Sequence, residues 1–283
     1  MAGIIVENGH DVSGTPVTRP SAANVEAGQR FFNTPSRASQ VSDGANWIGG
    51  AESFADRVVL EWRAGQRGKP GLNADILSTT EAVREIADPD FEILGTNATS
   101  ALCTYAAEGG LTLTTAGADG DGMILLPHLD ANQSPWAQWT WGTDQETCWE
   151  CVVKTGAAIT NSIIWAGLKL TNTDVVATDA NQVFFRYENA INAGEWQAVY
   201  SIADTDVSGD SNIAVAVSTQ YKLQIAIDSS RIATMYINGT LVATSTALTT
   251  AVDFIPYIAV EADGAAEAKA LTIYGQRISR NAG

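Results

Sequence analysis

The chain of 283 residues is poor in cysteine, histidine and positive charge. Three cysteines, an odd number, make no disulfide framework. With only His10 and His128 beside it, the Cys148-Trp149-Glu150-Cys151 motif has no second pair of zinc ligands. The motif lies in a run, residues 147–154, that reads as a strand, where positions three apart face opposite ways. Its thiols are expected to act as small hydrophobes. Sixteen basic residues against 32 acidic ones give a net charge of −16, the wrong sign for a phosphate backbone or an anionic membrane. Nucleic acid and membrane are therefore excluded as partners. No uncharged apolar run approaches the roughly 20 residues that span a bilayer. The first residues lack the basic and apolar segments of a signal peptide, so synthesis in a cytoplasm is expected. Phosphate-binding glycine loops and a Gly-x-Ser-x-Gly elbow are missing too.

What is present is a large reserve of core-forming residues: 45% of the chain is hydrophobic and 17% charged. The acidity is uneven, with 8 basic and 11 acidic residues in positions 1–88 and 8 and 21 in positions 89–283. A mainly β protein in three parts is expected. Residues 1–50, rich in Gly, Pro, Ser, Asn and Thr, read as an arm and hairpin, with Asp43-Gly44 the strongest turn signal. Residues 51–88 read as a helical connector. There Phe54, Val58 and Trp62 recur every four residues, and Ser78-Thr79-Thr80-Glu81 forms a capping-box pattern.

From residue 89 to 283, apolar and β-branched runs alternate with turn residues as in an antiparallel β-sandwich. Eleven strands are expected: 111–115, 136–141, 147–154, 163–170, 182–187, 196–202, 221–227, 233–237, 241–244, 254–261 and 270–279. Asn238-Gly239 between two alternating runs marks a type I′ hairpin.

The segments Tyr221–Asp228, Tyr236–Gly239, Ile255–Glu261 and Leu271–Tyr274 resemble the last strands of concanavalin-like, laminin-G-like jelly rolls. The N-terminal Arg19-Pro20, Gly28–Thr34 and Asp43–Trp47 are similar to a short module of phage fibre and structural proteins. Together these resemblances imply a virion component of a tailed bacteriophage. The expected role is a non-enzymatic capsid decoration protein, of cement or head-fibre type, with the major capsid protein or another virion subunit as partner. The family also implies a homo-oligomer, with a trimer the usual state. In such a protein Phe31, Phe32 and Trp47 would anchor the arm and Arg19, Arg30 and Arg37 would make polar contacts. The alternative is a tail-fibre module that binds a receptor or host surface glycan.

Three further groups bear on these readings. Laminarinase-type enzymes use the same sandwich, with acidic residues alternating on one strand. Asp88-Pro89-Asp90-Phe91-Glu92 has that alternation, but Pro89 should break a ladder and the segment should form a solvated junction, so no catalysis is expected. Calcium is possible at Asp119 and Asp121 in an Asp-Gly turn, as jelly rolls of this type often hold it with loop carboxylates. Trp136, Trp139 and Trp141 would form the glycan platform of the alternative reading.

Overall fold

A computed structural model describes residues 57–66, 69–72, 87–128, 134–170, 179–264 and 267–282, with the backbone of short strands between residues 5 and 48. The chain divides into two compact units, residues 1–59 with 281–283, and residues 60–280.

The first unit holds a five-stranded sheet, Ile5–Glu7 (β1), Asp11–Gly14 (β2), Arg30–Asn33 (β3), Ala38–Ser42 (β4) and Trp47–Ile48 (β5), paired in chain order. Strands β2 and β3 run parallel; β3, β4 and β5 form an antiparallel meander. Of the expected attachment residues, Arg30, Phe31, Phe32 and Trp47 fall on these strands. Their side chains, and Arg19 and Arg37 altogether, lie outside the described residues.

The larger unit is built from Arg57–Arg63 (β6, which starts in the first unit), Lys69–Gly71 (β7), Ala87–Leu94 (β8), Cys103–Tyr105 (β9), Leu111–Thr114 (β10), Gly122–Pro127 (β11), Trp141–Gly142 (β12), Cys148–Thr155 (β13) and Ser162–Lys169 (β14). It continues with Gln182–Glu188 (β15), Glu195–Ile202 (β16), Thr205–Ala214 (β17), Gln220–Ile227 (β18), Ile232–Ile237 (β19), Thr240–Ala247 (β20), Asp253–Ala262 (β21) and Ala270–Asn281 (β22). They form two sheets. The eight-stranded sheet runs β20-β19-β18-β13-β22-β10-β9, with β6 also on β22; the nine-stranded sheet runs β17-β16-β15-β14-β21-β11-β8-β7, with β12 also on β21. This is the β-sandwich of a jelly-roll fold.

Strand patterning decides how the sheets stack. Along β13, buried residues alternate with half-buried ones, so Trp149, Cys151 and Val153 point inward. The Trp196 ring meets Tyr221 of the other sheet edge-on at 5.5 Å and Tyr187 of its own sheet at 6.2 Å, which fixes the inner face of β15 and β16. Every residue of β14 is buried, as is every residue of β11; such strands read as continuous apolar runs without a polar face. The predicted hairpin forms, with Asn238 at φ 52° and Gly239 at φ 81°, the positive pair a type I′ turn requires.

Three expectations change. The connector is not helical over 57–63: β6 is a strand there. A spacing of four is even, so Val58 and Trp62 share a face on a strand as on a helix, and Val58-Val59 favours the strand. The capping box at residues 78–81 lies outside the described residues. Next, Pro135–Gln138 forms a short helix (α1), because Pro135 stands at the first helical position where its missing N–H costs nothing. Third, the acidic segment at 88–92 is no solvated junction but part of β8 inside the nine-stranded sheet. Its ladder to β11 runs from Phe91 to Leu94, so Pro89 lies outside that ladder; on the other side the pairing with β7, Ala87↔Lys69 and Glu92↔Gly71, is irregular across the proline.

Candidate functional site

Cross-strand register orders the side chains on the face of the nine-stranded sheet turned away from the other sheet. Four rows cross it. Reading from β21 through β14 to β15, the first is Glu261, Ile163, Glu188. Continuing onto β16 and β17, the second is Ala259, Trp165, Arg186, Gln197, Asp210. The third is Tyr257, Gly167, Phe184, Val199, Ser208, and the fourth Ile255, Lys169, Gln182, Ser201, Asp206. On the other flank Ile124 lies between Ala259 and Leu94, and Leu126 beside Glu92.

These rows combine an apolar cluster (Ile124, Leu126, Ile163, Trp165, Phe184, Val199, Tyr257 and Ala259) with groups that water would normally claim. Lys169 is fully buried, Gln182 nearly so, and Asp90 and Glu92 of β8 are 7% and 3% exposed. At the centre of the third row Gly167 leaves a notch, flanked by the rings of Tyr257 and Phe184 with centroids 6.4 Å apart. A side chain has no room there: a Cβ on Gly167 would sit 2.4 Å from the Val183 carbonyl oxygen and 2.7 Å from Phe184 Cβ.

The polar atoms around the notch are incompletely matched. Among the described residues the Tyr257 hydroxyl and Gln182 Oε1 are buried without a hydrogen-bond partner. In a finished core such groups are rare, because each forfeits its bonds to water. The Lys169 ammonium lies 5.5 Å from the centre of the Tyr257 ring. Burial, reinforced by the Asp179 carboxylate, holds the Tyr257 phenol well above the ordinary tyrosine range, so it is a hydrogen-bond donor at neutral pH. Asp179 itself accepts the Leu170 N–H at 2.7 Å, which ties the end of β14.

The first row brings a second kind of chemistry. Burial, with Asp263, Asp119 and Glu188 adding repulsion, raises the Glu261 carboxyl to about 6. Glu188, two strands away across Ile163, is ion-paired with Arg186. Two strand spacings put their backbones roughly 9.6 Å apart. One carboxyl tuned upward and another held in an ion pair is the asymmetry that acid–base work on a glycosidic bond uses.

Because the raised Glu261 holds its proton more tightly folded than unfolded, its effect on stability has a definite sign. No penalty exists below about pH 4.5; it grows as the pH rises and is complete above about 6. Glu261→Gln should therefore stabilise the protein at pH 7 by about 1 kcal/mol, discounted because the carboxyl is only half-buried, and by nothing at pH 4. Urea denaturation at the two pH values measures it.

The residues named from sequence end up elsewhere. Trp136 and Trp141 are buried, the Trp141 indole N–H donating to the Trp136 carbonyl at 2.7 Å, and Phe91 packs on Trp136. Only Trp139 is exposed, at 42%, with the Arg280 guanidinium 5.4 Å from its ring centre. Three rings split by a helix make no platform. Asp119 accepts the Gly264 N–H at 2.6 Å, and Asp121 accepts Asn97 Nδ2 and the Ala118 N–H, each at 2.6 Å. Those bonds, led by Asn97, hold the Asp121 carboxyl below its usual range; the pair clamps turns. Among the described residues no group of three or more His, Cys, Asp or Glu side chains is arranged to hold a metal ion.

The residues that do converge (Trp165, Gly167, Lys169, Gln182, Phe184 and Tyr257) were not singled out in the sequence. The signal was there in one form: a lysine and a glycine inside the otherwise apolar run Ile163-Ile164-Trp165-Ala166-Gly167-Leu168-Lys169.

No protein-family model matches the sequence, and no curated protein matches it. Solved structures share the fold. A protein of unknown function from Shewanella oneidensis MR-1 aligns over 80% of this chain and 87% of its own, at 12% identity and a TM-score of 0.51. An alginate lyase from Pseudomonas aeruginosa aligns over 65% and 88%, at 11% identity and 0.48. The carbohydrate-binding module CBM66 from Bacillus subtilis aligns over 65% and 91%, at 10% identity and 0.40. The Shewanella likeness extends to the β-sandwich fold alone, and nothing in these likenesses points to a phage virion protein. The expectation of a protein without enzymatic activity is corrected. It rested on a broken ladder and a solvated junction at Pro89, whereas Asp90 and Glu92 lie in a strand of the sheet and are buried.

Proposed function

We propose that the chain binds carbohydrate on the outer face of its nine-stranded sheet, around the Gly167 notch. One observation carries this reading: on a face that plays no part in joining the two sheets, the Tyr257 hydroxyl and Gln182 Oε1 are buried beside aromatic rings with no hydrogen-bond partner among the described residues. Sugars supply the missing half of that arrangement, hydroxyls for the unmatched donor and acceptor and C–H faces for the rings. The ligand reaches the notch from the first and second rows, where the side chains of Arg186 and Glu188 are still 29% and 15% exposed.

Affinity electrophoresis through gels cast with neutral and acidic polysaccharides tests this. At least one polysaccharide should retard the full chain, and Gln182→Ala should cut the retardation at least tenfold while thermal unfolding stays cooperative. Absence of retardation in every gel overturns the reading. Equal retardation of the variant removes the site from this face. Release of reducing ends from the retarding polysaccharide, lost in Glu261→Gln, would assign bond cleavage to the first row.

A further inference from the structure

The opposite sheet carries a hollow of its own. A groove of about 530 Å³ lies where β6, β13, β18 and β22 meet, with Glu61 and Arg63 on one wall and Glu150, Gln220, Tyr274 and Arg277 around the rest. All of these belong to the larger unit. The volume falls within the roughly 300–1,000 Å³ of small-molecule sites.

Sequence explains why the groove exists. The pairing of β13 with β22 slips between Val152 and Val153, whose partners are Gly275 and Ile273, so Tyr274 has no opposite number and forms a bulge. The next residue must be glycine, because a Cβ on Gly275 would lie 2.8 Å from the Trp62 carbonyl oxygen of β6. The Ala64 N–H then donates to the Tyr274 carbonyl at 3.1 Å, tying the end of β6 beside the bulge. The Tyr274 ring is held from two sides. Its hydroxyl helps to hold the Glu108 carboxyl below its usual range, and its Cδ1 edge lies where a Cβ on Gly110 would be only 3.1 Å away. An aromatic ring fixed before binding loses little freedom on contact.

Charge narrows the class of ligand. In a chain of net charge −16 this groove is locally balanced, with Glu61 ion-paired to Arg63 and Glu150 to Lys222 at 2.8 Å. A polyanion or polycation gains nothing from such walls. The strands β13 and β22 pair with neighbours on both sides, so an extended peptide finds no free edge in the floor. What the walls offer is a half-buried ring surrounded by the planar hydrogen-bonding groups of Arg63, Arg277, Gln220 and Glu150.

We infer that this groove is a second binding site, for a short neutral saccharide, on the sheet opposite the Gly167 notch. The Tyr274 ring receives a sugar face and the guanidinium, amide and carboxylate groups take its hydroxyls. A smaller hollow of about 470 Å³ shares Glu61, Trp62 and Arg63 and reaches Asp90, so a longer neutral chain extends across β6.

Isothermal titration of the full chain with maltotriose, cellotriose and laminaritriose tests the inference. At least one should bind, and Tyr274→Ala should weaken it at least tenfold. Arg277→Ala, a substitution of a rim side chain, should weaken it severalfold and guards against a folding defect in the tyrosine variant. If none of the three binds, or if Gln182→Ala abolishes binding while Tyr274→Ala and Arg277→Ala do not, the groove is no saccharide site. The second result would leave the site on the nine-stranded sheet standing.

Discussion

Replacing Gly167 by alanine should destabilise the protein by about 3 kcal/mol or more, the upper end of what overpacking a core costs. The added methyl meets backbone on the Val183 side, 2.4 Å from a carbonyl oxygen, where no rotamer change can make room. Relief requires β14 and β15 to separate, yet their ladder runs unbroken from Ile163↔Glu188 to Lys169↔Gln182. Chemical denaturation reads the loss directly. An alanine variant within 0.5 kcal/mol of the parent would mean that the Tyr257–Gly167–Phe184 row is not assembled as described. The expected cost is unusual for a residue that contributes no side chain, and it makes the notch a property of the backbone, which neighbouring substitutions cannot repair.

Tyr257→Phe should separate stability from binding. The phenylalanine variant removes one hydroxyl that is buried and unmatched, and nothing else. Folding should become about 1 kcal/mol more favourable, since a desolvated donor without a partner is a cost that the ring alone does not carry. Carbohydrate retardation should fall at least tenfold, because a site that loses its donor leaves a sugar oxygen unpaired. Opposite signs in the two measurements distinguish a group kept for a ligand from one that packs. If stability falls and binding is unchanged, the hydroxyl has a structural partner and the site lies elsewhere.

Much of the sandwich was legible because most of its strands have one wet face. β13, β18 and β19 alternate, and the expected spans match the observed ones to within a residue or so. The strands that escaped have no such contrast. β11 is buried throughout, and β17, exposed along most of its length from Thr205 to Ala214, has few apolar residues to alternate. β8 was hidden by Pro89 and its acidic neighbours, features that normally signal a turn.

The candidate site was illegible for a related reason. Trp165, Gly167 and Lys169 lie on one face of β14 and Ile164, Ala166 and Leu168 on the other, but when both faces are covered the alternation vanishes. The conspicuous cluster in the sequence is instead Trp136 to Trp141. There Pro135 starts a helical turn that sends two of the rings inward. A row across a sheet is contributed by residues far apart in the chain, and only the register of β21, β14 and β15 reveals that Glu261 and Glu188 flank one isoleucine.

The last described strand, β22, lies in the interior of the eight-stranded sheet, with β13 along one side and β10 and β6 sharing the other. On the ribosome, β6, β10 and β13 emerge early but have no common neighbour until residues 270–281 follow them. The sheet stays in separate pieces for most of the chain's synthesis and closes only when this strand slots between them. Contacts of such long sequence separation slow folding and leave unpaired edges exposed meanwhile. The strand in the middle of the sheet is thus made after all of its neighbours.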